Sequence, residues 1–329
     1  MELDLAQRNQ NDHGLPFVSI SLTSSNEGVS MVRKLLGICI SLAFAISLAT
    51  AAENPQSLAK LSAADIVNKN VTARGGLQAW RAVQTMTWEG KLGAGGNQRA
   101  TLPIPVPGPK PTSPEKFSTR PVEEVQLPFV MEMKRPRKMR FELQFAGKTA
   151  IQVYDGANGW KLRPYLNRLE VEPYTTDEMK IASMQTDIDG PLVDYAAKGT
   201  QLELAGMEKV EGRDTYKIKL TLKNGNATHV WIDAETFLEA KIEGQPRQLD
   251  GTSHPVEVYY RDYRPVSGLK VPFVLETKVL PVAKTALGFK DPAVPVEKIS
   301  IDKIEVNPKL DESLFSKPDA GAGVASNAK

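Results

Sequence analysis

The sequence predicts a mainly β protein of the α+β class, and three observations carry that prediction. About ten segments alternate apolar with charged side chains, only two regions show a helical period, and most strands are left with one apolar and one solvated face. An antiparallel sheet with one wet face must close its other face over something. A barrel, a sandwich, or a strongly curved sheet wrapped around the helices would each do so.

The chain opens on a polar stretch, residues 1–30, ahead of a second methionine. Met31 begins MVRKLLGICISLAFAISLATAAE, which reads as a secretory signal. Arg33 and Lys34 form its basic part, Leu35 to Leu48 its apolar part, and Ala49-Thr50-Ala51 its small-residue cleavage site. The apolar run is short for a membrane span. Translation from Met31 is therefore expected, with residues 1–30 an upstream start-site extension and residues 31–51 a signal peptide cut between Ala51 and Ala52. The single cysteine, Cys39, lies inside the apolar part, and Ile38 before it is not the small residue a lipidation signal wants. The mature chain then has no thiol and no disulfide.

Residues 52–317 are expected to form one domain. LSAADIVNKNVTARGGLQAWRA reads as helix with Ser62 as N-cap and Ile66, Val67 and Val71 on one face, broken at Gly75-Gly76 before a short piece carrying Trp80. QTMTWEGKL alternates, with Met86 and Trp88 inward and Thr85, Thr87, Glu89 and Lys91 outward. Residues 93–128 hold eight prolines at close spacing and read as an extended loop insert outside the sheet. PFVMEMK and KMRFELQF follow, with Phe129, Met131 and Met133, then Met139, Phe141, Leu143 and Phe145, on one face around an Arg135-Pro136-Arg137 corner. Short strands are expected at residues 149–154, 160–163 and 168–172, and a helical region over 176–198, interrupted near Gly190-Pro191. Strands return in TYKIKLTLK, THVWID, FLEAKIE, VEVYYRDY, LKVPFVLETKVL and EKISIDKIEV, and residues 318–329 read as a disordered tail.

Composition argues against several functions. Basic and acidic residues nearly cancel, at 41 against 39, so no net field or basic block would hold nucleic acid. The mature chain has two histidines, His229 at an outward strand position and His254 in the turn GTSHP, neither beside a nucleophile motif. Zinc spacing, a P-loop and a dinucleotide fingerprint are all missing. A non-enzymatic protein without metal or cofactor is expected. In DGANGW, Asp155 and Asn158 could begin a calcium loop, but the further carboxylates are lacking. A tight hairpin wants the same residues, with Trp160 returning to the sheet.

What remains is a concentration of large apolar side chains on the inward faces. Trp80, Met86, Trp88, Met131, Met133, Met139, Phe141, Leu143, Phe145 and Trp160 are the candidates for lining a cavity. Methionine suits surfaces that repack around variable guests. An ordinary packed core would show the same alternation.

KRPRKMRFEL followed by VYDGANGWKLRPYLNRLEVEPY resembles the strand pair of the LolA/LolB family of periplasmic lipoprotein carriers: an R-P corner, a D-G-x-x-x-W hairpin and a proline just beyond. ARGGLQAW, GMEKVEGRDTYKIKL, VWIDAETFLEAKIE and VNPKLDESLFSKP are similar, in this order, to recurring segments of the wider outer-membrane lipoprotein-sorting proteins. The resemblance spans roughly residues 63–318. It implies an incomplete, strongly curved antiparallel β-barrel whose concave apolar face is covered by helices, with acyl chains held between. It also implies a periplasmic location, and a corner arginine, here Arg135, that hydrogen-bonds to the helical lid. The proline-rich insert and the overall length depart from the simplest carriers. The family also holds stress sensors and lipid carriers, so the fold does not name the cargo.

The function expected is a periplasmic carrier that binds acyl chains of lipoproteins or other lipids for outer-membrane sorting. Donor and acceptor proteins at the inner and outer membranes would be its partners. The rival is a signalling or scaffold module with a filled core, whose proline-rich loop docks a protein partner. An outer-membrane barrel is a third option, weakened by the two helical regions.

Overall fold

The computed structural model describes residues 61–94, 125–164, 168–185, 187–249, 251–283, 294–319 and 321. The expectations placed on residues 1–60, on 95–124 of the proline-rich insert and on 322–329 of the tail lie outside them.

Helix α1 (Ala63–Ala73) begins at the expected cap. Asp65 N donates to Ser62 Oγ at 3.1 Å and Ser62 N donates back to the Asp65 carboxylate at 3.0 Å, a reciprocal capping box. Ile66, Val67 and Val71 are buried. After the Gly75-Gly76 break, α2 (Leu77–Ala82) buries Trp80, whose Nε1 donates to Arg74 O at 3.2 Å.

Thirteen strands follow among the described residues: β1 (Thr85–Ala94), β2 (Val125–Lys134), β3 (Lys138–Phe145), β4 (Lys148–Tyr154), β5 (Gly159–Arg163), β6 (Arg168–Pro173), β7 (Gln201–Val210), β8 (Arg213–Thr221), β9 (Ala227–Asp233), β10 (Glu239–Leu249), β11 (Thr252–Val266), β12 (Leu269–Val279) and β13 (Glu297–Val306). All pair antiparallel in one sheet, ordered β6-β5-β4-β3-β2-β1-β13-β12-β11-β10-β9-β8-β7. The first and last strands meet in the middle, and β6 and β7 are its two edges, so the sheet stays open. Met139 and Leu143 of β3 nevertheless share one core with Ile218 and Leu220 of β8 and Ile232 of β9, around Ile66, Val67 and Trp80. Only a strongly curved sheet brings strands from its two halves onto the same helices. The architecture is therefore a mainly β half-barrel with helices on its concave face.

Four expectations need correction. The insert expected at 93–128 is shorter, because β1 runs to Ala94 and β2 begins at Val125. Pro128 fits in β2 because pairing with β3 begins only at Phe129. Of the helical region at 176–198, α3 (Thr176–Gln185) is helix, while residues 188–199 form a run of turns. Pro191 disfavours helical backbone at Gly190 and Asp194 stands at φ 53°, yet Leu192 and Val193 are fully buried and anchor the run. Strand β7 went unread as a strand in its own right. As an edge it has weak alternation, and its Met207 is 57% exposed. His254 lies in β11 and not in a turn, buried with Nδ1 3.2 Å from Leu280 O.

Beyond β13 the chain crosses the outer face. Asp311 caps a 3₁₀ turn, Glu312–Phe315, and Phe315 is buried while Arg140 Nη1 donates to Leu314 O at 3.1 Å.

Candidate functional site

Strand register arranges the inner face in rows. Met86, Met133 and Met139 are cross-strand partners in one row, Trp88, Met131, Phe141 and Gln152 in the next, and Gly90, Phe129, Leu143 and Ala150 in a third. The first and third rows are closed: Met86 is 0% exposed and Leu143 1%. Between them Trp88, Met131 and Phe141 are only partly buried, packed against the core without being sealed by it. Gly90 helps shape the third row. A Cβ there would stand 2.3 Å from Ser300 O and 3.0 Å from Phe129 Cε1, so glycine lets the Phe129 ring lie over β1, stacked on Phe141 at 5.7 Å.

Eight of the ten sequence candidates fall on this inner side. Trp80, Met86, Met133, Met139 and Leu143 are in the sealed core, and Trp88, Met131 and Phe141 are in the half-open row. Two stand elsewhere. Phe145 keeps the parity of Leu143 but ends β3 at the Ala146-Gly147 turn, beyond the packed rows, and is 43% exposed. Trp160 is on the outer face, where it pairs with Val153 and packs with Ile151 and Leu162. The hairpin register pairs Tyr154 with Gly159, so the inner position belongs to the glycine. Any Cβ there would fall 2.0 Å from Cδ2 of Tyr174.

DGANGW is a hairpin turn. Asp155 N donates to Asn158 O at 3.0 Å, and its carboxylate accepts from Ala157 N at 2.7 Å, Asn158 N at 2.6 Å and Asn158 Nδ2 at 3.0 Å. Burial pushes the Asp155 carboxyl up, and the hydrogen bonds from Asn158 and Ala157 outweigh it, so it stays below the usual carboxylate range. The oxygens of Asp155 are spent on closing the turn. Among the described residues no group of three or more His, Cys, Asp or Glu stands where it could hold a metal.

Arg135, at the corner between β2 and β3, reaches both parts of the helical cover. Its Nε donates to Val83 O at 2.7 Å, and Nη2 donates to Trp80 O at 3.2 Å and to Asp189 Oδ2 at 2.8 Å. The first two acceptors are at the C-terminal end of α2, where Trp80 O also accepts from Val83 N at 3.2 Å. The third belongs to the turn run 188–199. Asp189 is the hub there, with its side chain 3% exposed. Lys198 Nζ donates to its Oδ1 at 2.6 Å, and Arg74 Nη1 donates to its backbone O at 3.3 Å. Arg74 also pairs with Glu239 of β10 at 3.0 Å and lies over the Trp80 ring at 4.5 Å. Tyr263 completes the cluster by donating to Glu239 Oε2 at 3.0 Å. Burial, and then the Glu239 charge, push its phenol far above the ordinary value.

Sequence reasoning missed Asp189, Arg74, Glu239 and Lys198. The available signal was an acid set between Ile188 and the apolar Leu192-Val193 pair, where a solvated side chain is out of place. A second buried pair holds α3, with Lys161 Nζ donating to both Glu178 oxygens at 2.6 and 2.7 Å.

No family model matches the chain, and no curated protein matches it. Among solved structures it is similar to a DUF1329-family protein from Desulfovibrio piger, with 11% identity, 78% of this chain and 97% of that one covered, and a TM-score of 0.46. It is similar to a LolA-superfamily protein from Nitrosomonas europaea, with 12% identity, 78% and 99% covered, and a TM-score of 0.45. The third likeness is to an outer-membrane lipoprotein-sorting protein domain from Vibrio parahaemolyticus, with 11% identity, 78% and 96% covered, and a TM-score of 0.44.

Proposed function

We propose that the protein is a non-enzymatic periplasmic carrier that holds acyl chains of lipoproteins or other lipids between the inner face of the half-barrel and its helical cover. The observation that carries the proposal is the half-open apolar row Trp88–Met131–Phe141, set between closed rows and under a cover that Arg135 ties to the β2–β3 corner. Each buried methylene contributes about 0.8 kcal/mol, so about ten of them give about 8 kcal/mol of gross attraction, the scale of micromolar binding before ordering costs. Loading would require the cover to lift from the rows it closes. The methionines at Met86, Met131, Met133 and Met139 repack at low cost when it does. Arg135 is the latch in this reading, and donor and acceptor proteins at the two membranes are its partners.

Arg135→Leu tests the assignment. The variant keeps the corner's aliphatic packing while losing all three hydrogen bonds, so a bound fluorescent acyl probe should leave several-fold faster than from the unaltered protein. Unchanged loading and unchanged release would remove Arg135 from the account.

A further inference from the structure

The half-open row contains two polar groups that the core does not satisfy. Trp88 Nε1 is shielded from solvent and donates to no acceptor among the described residues, and Gln152 Oε1 is likewise shielded and accepts from none. Gln152 is 9% exposed and is the direct cross-strand partner of Phe141, so both groups belong to the row Trp88–Met131–Phe141–Gln152. At about 4.8 Å between strands, the row spans about 14 Å from β1 to β4.

A sealed core has no use for such groups, because a buried donor or acceptor left unpaired costs free energy that phenylalanine or leucine in the same place would avoid. Two neighbouring polar side chains on the inner side are paired. Trp80 Nε1 has the Arg74 carbonyl, and Lys161, which follows Gln152 in the row, has Glu178. Asn70 Oδ1, Arg74 Nε and Arg163 Nε are also shielded without a partner among the described residues, but Trp88 and Gln152 are the two that share one half-open row.

We infer that this row recognises a chain by its polar linkage as well as its hydrocarbon: Trp88 Nε1–H donates to the carbonyl oxygen of an ester or amide, and the Gln152 amide pairs with a second polar group of the same acylated head. The ligand class is thus an acyl ester or acyl amide and not a bare hydrocarbon, ether lipid or isoprenoid. The indole and the amide fix how far the chain enters, while Met131 and Phe141 between them contact its methylenes. This rests on the carrier reading and adds the chemistry that the pocket selects.

The test compares a dipalmitoyl glycerophospholipid with its dihexadecyl ether analogue, and a diacyl lipopeptide with its dialkyl counterpart, binding to the exported chain and to Trp88→Phe and Gln152→Leu. One net hydrogen bond corresponds to about fivefold in affinity. The unaltered protein should prefer each ester over its ether by about that factor. Trp88→Phe should abolish the preference, bringing the ester-to-ether ratio to about one whatever it does to binding of either compound alone, and Gln152→Leu should reduce it. A loss of packing would weaken ester and ether alike and leave their ratio unmoved. Equal binding of ester and ether by the unaltered protein, or a ratio that survives Trp88→Phe, overturns the inference and spares the carrier reading. If neither compound binds, the carrier reading falls and this inference falls with it.

Discussion

Asp189→Asn separates a latch from a general stabiliser. The substitution preserves volume and one acceptor oxygen but removes the charge that faces Arg135 at 2.8 Å and Lys198 at 2.6 Å. A hydrogen bond to a charged group contributes about 1.5–3 kcal/mol. Arg135 and Lys198 are 26% and 20% exposed, which puts each contact near the low end. Arg135 keeps the carbonyls of Val83 and Trp80, and Lys198 keeps Gly190 O at 2.7 Å. The expected loss is about 2–3 kcal/mol, concentrated on the attachment of residues 187–199 and equivalent to about a 30- to 150-fold rise in their opening. Hydrogen exchange read by peptide mass would show it. Amides of 187–199 should exchange faster by that order while the central strands β1 and β13 keep their protection. Unchanged exchange in 187–199 would refute the latch. So would equal loss across the whole sheet, which would make Asp189 a global stabiliser.

Three further outcomes follow from individual contacts. The hydrogen bond from Arg261 leads in holding Glu211 down at about 2, so its stabilisation is full above the ordinary value of 4.5 and fades as pH falls from there through about 2. The Tm gap between the protein and Glu211→Gln should close over that window; the gap is modest because the carboxylate is 42% exposed, and a pH-independent gap would contradict the pairing. Gly90→Ala would press a methyl against Ser300 O and the Phe129 ring, costing about 1–3 kcal/mol in urea unfolding, and a neutral result would refute the tight β1–β13 approach. Trp160→Ala should lower stability by about 2 kcal/mol while leaving acyl-probe affinity unchanged, since the ring packs on the outer face; lost affinity would put Trp160 back in the lining.

Features written in local pattern were legible in the sequence. Ser62 and Asp65 are three residues apart and form the cap they spell, and the alternation of EKISIDKIEV gives β13 its observed limits. The inner faces of β1, β2 and β3 also follow from a period of two. What was not legible depends on partners far along the chain. Thr85 was read as outward and is 7% exposed, because Pro308 crosses over it and accepts from its Oγ1 at 2.7 Å. Trp160 changed faces because the register across a turn, one residue either way, decides which side chain points inward. Arg135 was found through a motif resemblance. Its partner Asp189 lies 54 residues on, beside the expected interruption at Gly190-Pro191, and no local pattern joins the two. The Arg74–Glu239 pair spans 165 residues, and no spacing rule reaches that far.

The central claim is that the inner face holds acyl chains, and native mass spectrometry tests it most directly: the protein is purified without detergent and any bound lipid is extracted and identified. The account predicts a stoichiometric acylated ligand, lost on Trp88→Asp or Met131→Asp. A clean unliganded mass, unchanged after incubation with lipids and lipoproteins, would contradict it and shift the fold's role to binding a protein partner.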